Sequence, residues 1–175
     1  MSDSTRKTVA AALAVAVVAA AIALGWSVRD RRDARPVVGN TAEAVGAVVG
    51  SADLKAEVRA VSEDALGKVF SYSHESLTAD KAAARALLTG EMLDQYDDTI
   101  AGVVSTSLAN ETVVSATVLE SALISVTEQD ATVLVFVNQR TTGTDLKRPL
   151  LDLDRVVVTL QRTSGEWKVS ELDAL

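Results

Sequence analysis

Apolar positions along this chain recur first at helical spacing and then, beyond Asn110, at a spacing of two. Over residues 41–70, Val45, Val48 and Ala52 lead to Val58, Val61, Ala65 and Val69, with Glu57, Arg59, Glu63 and Lys68 interleaved. Gly46 and Gly50 weaken the start, so the firm helix is expected from Ser51 or Asp53, both suitable caps. A second helix is expected over residues 79–88, with Asp80 in its first turn, where a negative charge suits the helix dipole. Thr89 and Gly90 interrupt the pattern, and a third helix begins at Glu91 with Met92, Tyr96, Ile100 and Val103 on one side.

After Asn110 the alternation places Val114, Ala116, Val118, Ala122, Ile124 and Val126 on one strand face, opposite Ser115, Thr117, Ser121 and Thr127. Glu120 is the misfit on the apolar face, and a bulge there would turn it to solvent and bend the sheet. Glu128 to Asp130 reads as a hairpin turn. Residues 132–140 are apolar on both faces in their middle, as in a central strand covered on one side by helices. A polar loop over residues 143–149 leads to a strand at 154–162, and Ser164-Gly165 turns into another at 166–172. Helices followed by an antiparallel meander of four or five strands define a single α+β domain, with about three helices packed on a curved sheet.

Upstream, residues 8–28 carry no charge, and 21 residues at helical rise span roughly 31 Å, close to a bilayer's hydrocarbon thickness. Trp26 falls at the far end, where an aromatic ring prefers the headgroup level. A cleaved signal peptide is the competing reading, with Arg6 and Lys7 before the run and Ala21-Ile22-Ala23 as a cleavage pattern. The length of the run and the arginines at 29, 31, 32 and 35 favour an uncleaved anchor. Ala12, Ala16 and Ala20 form a stripe of small residues along which another membrane helix can pack. The division expected is a tail, membrane helix and basic flank over 1–35, a linker over 36–50, and the α+β domain over 51–175.

Residues 1–35 carry a net charge of +3 and residues 36–175 a net of −10, which together make the chain's −7. So acidic a domain repels nucleic acid and anionic lipid. The chain has no cysteine, which excludes disulfides and thiolate metal sites. Two positive residues precede the apolar run and four follow it, so a literal count places the domain in the cytoplasm; long domains, however, translocate largely regardless of charge.

Candidate chemistry is sparse. The one histidine, His74, sits in a Tyr-Ser-His-Glu turn segment, where a solvated loop residue is the commoner outcome than a general base. Asp80 suits helix capping and an ion pair with Arg85 or Arg140 better than catalysis. Asp145, Asp152 and Asp154 lack the glycine-centred loop of a calcium site. Asn110-Glu111-Thr112 matches a glycosylation sequon. No Gly-rich phosphate loop, nucleophile elbow or paired-histidine motif is present. No cofactor is expected.

The stretch FSYSHESLTADKAAARALLTGEMLDQYDDTI, then ATVLVFVNQRTT and GEWKVSELDAL, resembles the Mce-associated membrane proteins of actinobacteria. Tyr72, Leu77, Asp80, Ala84, Thr89, Gly90 and Tyr96 carry the resemblance in the helical part, and Val135, Val137, Asn138 and Gln139 in the strands. It implies a single-pass membrane protein whose extracytoplasmic domain is a nuclear-transport-factor-2-like cone. It also implies a non-catalytic accessory role beside Mce transporters, docking on their substrate-binding or permease subunits and touching the imported lipid, a fatty acid or sterol. Two alternatives stay open: an assembly scaffold like the cone-domain proteins of type IV secretion, and an isomerase or cyclase in the same fold.

Overall fold

A computed structural model describes residues 50–175. The apolar run at 8–28, its arginine flank, the Ala12, Ala16 and Ala20 stripe and nearly all of the 36–50 linker lie outside the described residues. Within them, α1 (Ala52–Val69), β1 (Tyr72–Ser73), α2 (Leu77–Arg85) and α3 (Glu91–Ala109) precede β2 (Val113–Val126), β3 (Asp130–Thr142), β4 (Leu150–Thr163) and β5 (Glu166–Ala174). The five strands form one sheet in the order β1-β2-β3-β4-β5, every neighbouring pair antiparallel. The meander and the α+β class are as the spacing predicts.

Local chemistry sets the helix ends. Ser51 caps α1, its hydroxyl accepting from Leu54 N–H at 3.2 Å, and Lys68 in the last turn pairs with Asp64 at 2.8 Å. The helix buries Val58, Ser62, Ala65, Leu66 and Val69. The second helix starts and stops earlier than expected, because the chain after Ala86 leaves it to run beside β5. There Thr89 N–H donates to Val169 C=O at 2.9 Å and Val169 N–H to Leu87 C=O at 2.8 Å. Gly90 begins α3 at φ 58°, ψ −143°, a conformation open to glycine and costly for other residues. Met92, Tyr96, Ile100, Val103 and Ser107 face inward from α3.

The sheet buries one face under the helices, through Val133, Val135 and Val137 on β3, Val156, Val158 and Leu160 on β4, and Trp167, Val169 and Leu172 on β5. Each such aliphatic side chain contributes about 1.5–3 kcal/mol when fully buried. Arg162 stacks 4.7 Å above the Trp167 ring and pairs with Glu57 at 3.2 Å, tying the last hairpin to α1. That hairpin turns through Ser164 (φ 54°) and Gly165 (φ 87°), the doubly left-handed turn that matches strand twist.

Strand β2 departs from the single apolar face expected of it. Register shifts lie between Val118 and Glu120 and again between Leu123 and Ser125. The first is the expected bulge, and Glu120 is exposed, but one extra residue also inverts every side chain that follows. Ser121 therefore turns inward and is 5% exposed, while Ile124 is 51% exposed; Ala122 is exposed with it. The second bulge restores the phase, and Val126 is buried again. Strand β4 begins at Leu150, four residues before the expected start, because Leu150 to Leu153 pair with Thr141 to Asn138 across the ladder.

Candidate functional site

Between the end of α1, β1, the start of α2 and the start of β2 lies an open cleft of about 340 Å³. Gly67 and Lys68 form one wall, Asp80 and Ala83 the opposite one, and Val113, Val114 and Ser115 the floor, with Ser71, Tyr72, Ser73 and Ser76 along the connecting chain. The serine-rich segment exists as it does because two-residue β1 must leave α1, pair with Val113 and Val114, and enter α2 within a few residues.

Asp80 organises this turn. Its Oδ2 accepts from Ser73 N–H at 2.9 Å and from the Ser76 hydroxyl at 2.7 Å. The Ser71 hydroxyl oxygen accepts from Ala116 N–H at 2.8 Å, and His74 N–H donates to Thr112 C=O at 2.9 Å. The Asp80 ion pair with Arg85 or Arg140 does not form. Arg85 turns instead to Asp97 on α3, which Lys81 also reaches at 3.0 Å. With both cations of α2 drawn to Asp97, Asp80 is left to the local hydrogen bonds of the turn.

Behind the cleft, Tyr72 is 8% and Tyr96 3% exposed, and Ser107 Oγ lies 3.5 Å from the Tyr72 hydroxyl. The Tyr96 hydroxyl is pushed up to about 12, first by burial and then by the Asp80 charge, against an opposing pull from Arg85. Tyr96 is therefore a neutral hydrogen-bonding group at physiological pH, not a base.

The structure brings Tyr72, Leu77, Asp80 and Tyr96 into one neighbourhood: Tyr72 and Asp80 line the cleft, Leu77 packs against the core beside it, and Tyr96 senses both Asp80 and Tyr72. Thr89 and Gly90 lie apart, at the α2–α3 corner beside β5. Asn138 and Gln139 occupy opposite faces of β3. Gln139 is 8% exposed beneath the helices, and Asn138 has its Oδ1 buried without a hydrogen-bond partner. His74 stands in the turn before α2, its Nδ1 buried and unpartnered, outside the cleft lining. Asp145 accepts from Asn110 Nδ2 at 3.2 Å, and Asp154 is raised above the usual carboxylate range by burial and by Asp152. Among the described residues no three His, Asp or Glu side chains are placed to hold an ion. The serines of the cleft were not singled out from the sequence; their signal is three serines within residues 71–76.

A hydroxyl-rimmed, carboxylate-bearing cleft with an apolar floor suits the reception of a hydrogen-bonding partner segment. Together with a helix-backed antiparallel sheet, it defines an α+β domain of the cone type. Solved structures share this fold. An IcmL-like type IV secretion system protein from Legionella pneumophila superposes with a TM-score of 0.60 at 12% identity, over 69% of this chain and 91% of that one. The VirB8 protein of Agrobacterium tumefaciens gives 0.56 at 11% identity, over 72% and 94%. The periplasmic domain of DotI gives 0.56 at 16%, over 73% and 96%. No protein-family model matches the chain.

Sequence relatives are mycobacterial. Outer membrane protein Rv1973 of Mycobacterium tuberculosis is 33% identical over 132 residues, which are 74% of this chain and 81% of that protein; the chain belongs to the same family. The uncharacterized protein Rv1362c of that species is 32% identical over 118 residues, 67% of this chain. The match spans 53%, about half, of the length of Rv1362c.

Proposed function

We propose that this protein is a membrane-anchored, non-catalytic scaffold of the cell envelope, held by residues 8–28 with its cone domain on the extracytoplasmic side. The observation that carries the reading is the shared architecture. The same helices-on-meander domain serves type IV secretion system proteins, over nine-tenths of the Legionella protein. The membership of Rv1973, named an outer membrane protein, in the same family supports an envelope location. The cleft supports a binding role, since its one carboxylate is engaged by the Ser73 N–H and the Ser76 hydroxyl of its own turn.

A second reading is favoured by one specific observation. Four of the positions that carry the resemblance to Mce-associated proteins, Tyr72, Leu77, Asp80 and Tyr96, gather around the cleft. On that reading the scaffold docks on the substrate-binding or permease subunits of an Mce-type lipid importer and touches the lipid. Both readings are tested by tagging the full chain, cross-linking in cells and purifying in gentle detergent. A scaffold recovers a reproducible set of envelope-machine subunits, which Ser73→Arg, filling the cleft, depletes. Mce subunits within that set select the second reading. Recovery of the chain alone refutes both, and a partner set unchanged by Ser73→Arg refutes the cleft as the docking point.

A further inference from the structure

The face of the sheet turned away from the helices is apolar along its middle. Leu119 and Phe136 are 55% and 36% exposed, and Leu151 and Leu153 are 69% and 72% exposed. The two bulges of β2 add to this face, since they turn Ile124 outward at 51% exposure. A patch three strands wide and about nine residues long covers roughly 430 Å² in flat projection. Standard interfaces bury about 800 Å² per partner, so the patch forms the apolar centre of such an interface and the polar positions around it supply the rest.

We infer that this face binds a second copy of the same chain, sheet against sheet, about a two-fold axis running along β3. Charge selects the occupant. Glu120, Phe136 and Arg155 are consecutive partners across β2, β3 and β4, so an acid and a base flank an exposed aromatic ring in one row. A two-fold axis along β3 lays that row on its own copy reversed, with Phe136 on Phe136 and each Glu120 opposite the other chain's Arg155. The surface is self-complementary, as an isologous interface requires. No ion pair engages Arg155 among the described residues, while Glu120 is held only by Arg59 at 3.8 Å and remains 75% exposed. One row along β3, the axis brings Asn138, half-buried at the next outward position, next to its own copy. Arg140, exposed at the following outward position beside Leu151, also falls on its own copy at the end of the patch, so this pair must splay apart into solvent.

Size-exclusion chromatography with light scattering on the full chain in mild detergent, resolving protein mass from detergent mass, tests this. The expected result is two copies of the 18.3 kDa chain. Phe136→Glu should give the monomer. Arg155→Glu should weaken the dimer by at least about tenfold in Kd, because the altered pair occurs twice per interface. Adding Glu120→Arg to Arg155→Glu should restore it, with circular dichroism of the wild-type shape in each variant. A monomeric wild type overturns the inference. So does a dimer indifferent to Phe136→Glu, which would place association elsewhere, or a folded double variant that stays monomeric.

Discussion

Removing the Asp80 carboxylate should loosen the turn that builds the cleft. One oxygen receives both the Ser73 N–H at 2.9 Å and the Ser76 hydroxyl at 2.7 Å, and the charge sits in the first turn of α2. Hydrogen bonds to a charged acceptor contribute about 1.5–3 kcal/mol, and a first-turn carboxylate adds about 0.3–1 kcal/mol through the helix dipole. The Ser76 hydroxyl is exposed and can turn to water, so Asp80→Ala should cost about 2–3 kcal/mol in total. For a domain of this size that corresponds to a fall in Tm of roughly 8–11 °C. Asp80→Asn keeps an acceptor for Ser73 N–H and should cost about half as much. Thermal melts of the full chain in mild detergent, followed by far-ultraviolet circular dichroism, measure both. A second readout is independent of stability: without the Asp80 charge, the Tyr96 hydroxyl should ionise at a lower pH than about 12, visible as tyrosinate absorbance. A fall in Tm below about 2 °C, with Tyr96 titrating unchanged, would refute this account of the turn.

The remaining expectations concern the core, the backbone and pH. Leu66→Ala, at a fully buried position, should cost about 2–5 kcal/mol in urea unfolding. Gly90→Ala has open space for its methyl group but must adopt φ +58°, so backbone strain alone should cost about 1–3 kcal/mol; Gly67→Ala, also in open space but within α1, should instead gain about 0.5–1 kcal/mol. Tyr96 keeps its proton in the fold to about 12 against 10.0 for the ordinary group, so its contribution is complete below pH 10 and is lost as pH rises toward 12. Urea midpoints at pH 9 and 11.5 should differ accordingly, and Tyr96→Phe should flatten that difference. Asp154→Asn should raise the melting temperature, since burial and Asp152 both oppose the Asp154 charge.

The elements that could be read from sequence are those with local causes. Ser51 marks the start of α1 because a hydroxyl before an apolar-periodic run caps it, and Gly90 separates α2 from α3 because the corner needs a left-handed residue. Glu120 betrayed the first bulge of β2, since a charge on an apolar face demands an exit. The second bulge left no such mark: Ile124 is apolar on either face, so inverted and uninverted alternation look alike. Strand β1, two residues long, has no periodicity to read and exists through pairing with Val113 and Val114, some forty residues away. The start of β4 hid behind Pro149 and alternating leucine and aspartate, a pattern as compatible with a polar loop as with an uncovered strand.

The candidate site divides the same way. Tyr72, Asp80 and Tyr96 were singled out through resemblance, and the fold supplies the reason they belong together, a cleft closed by one tight turn. The partner of Asp80 was misread because Arg85 lies five residues ahead on the same helix, whereas Asp97, which takes it, arrives from α3 only in three dimensions. The apolar outer face was legible only on β3, read as apolar on both faces and covered on one side; its continuation through Leu119 and Ile124 on β2 and Leu151 and Leu153 on β4 depends on the bulges and on the early start of β4.

The most direct test of the envelope-scaffold account is the side of the membrane on which the cone domain lies. The chain has no cysteine, so Ser164→Cys, in the exposed β4–β5 turn, provides a single thiol for a membrane-impermeant maleimide. Labelling in intact cells, with full-length protein retained in the membrane fraction, is the predicted result. Labelling only after lysis would place the domain in the cytoplasm and contradict the account.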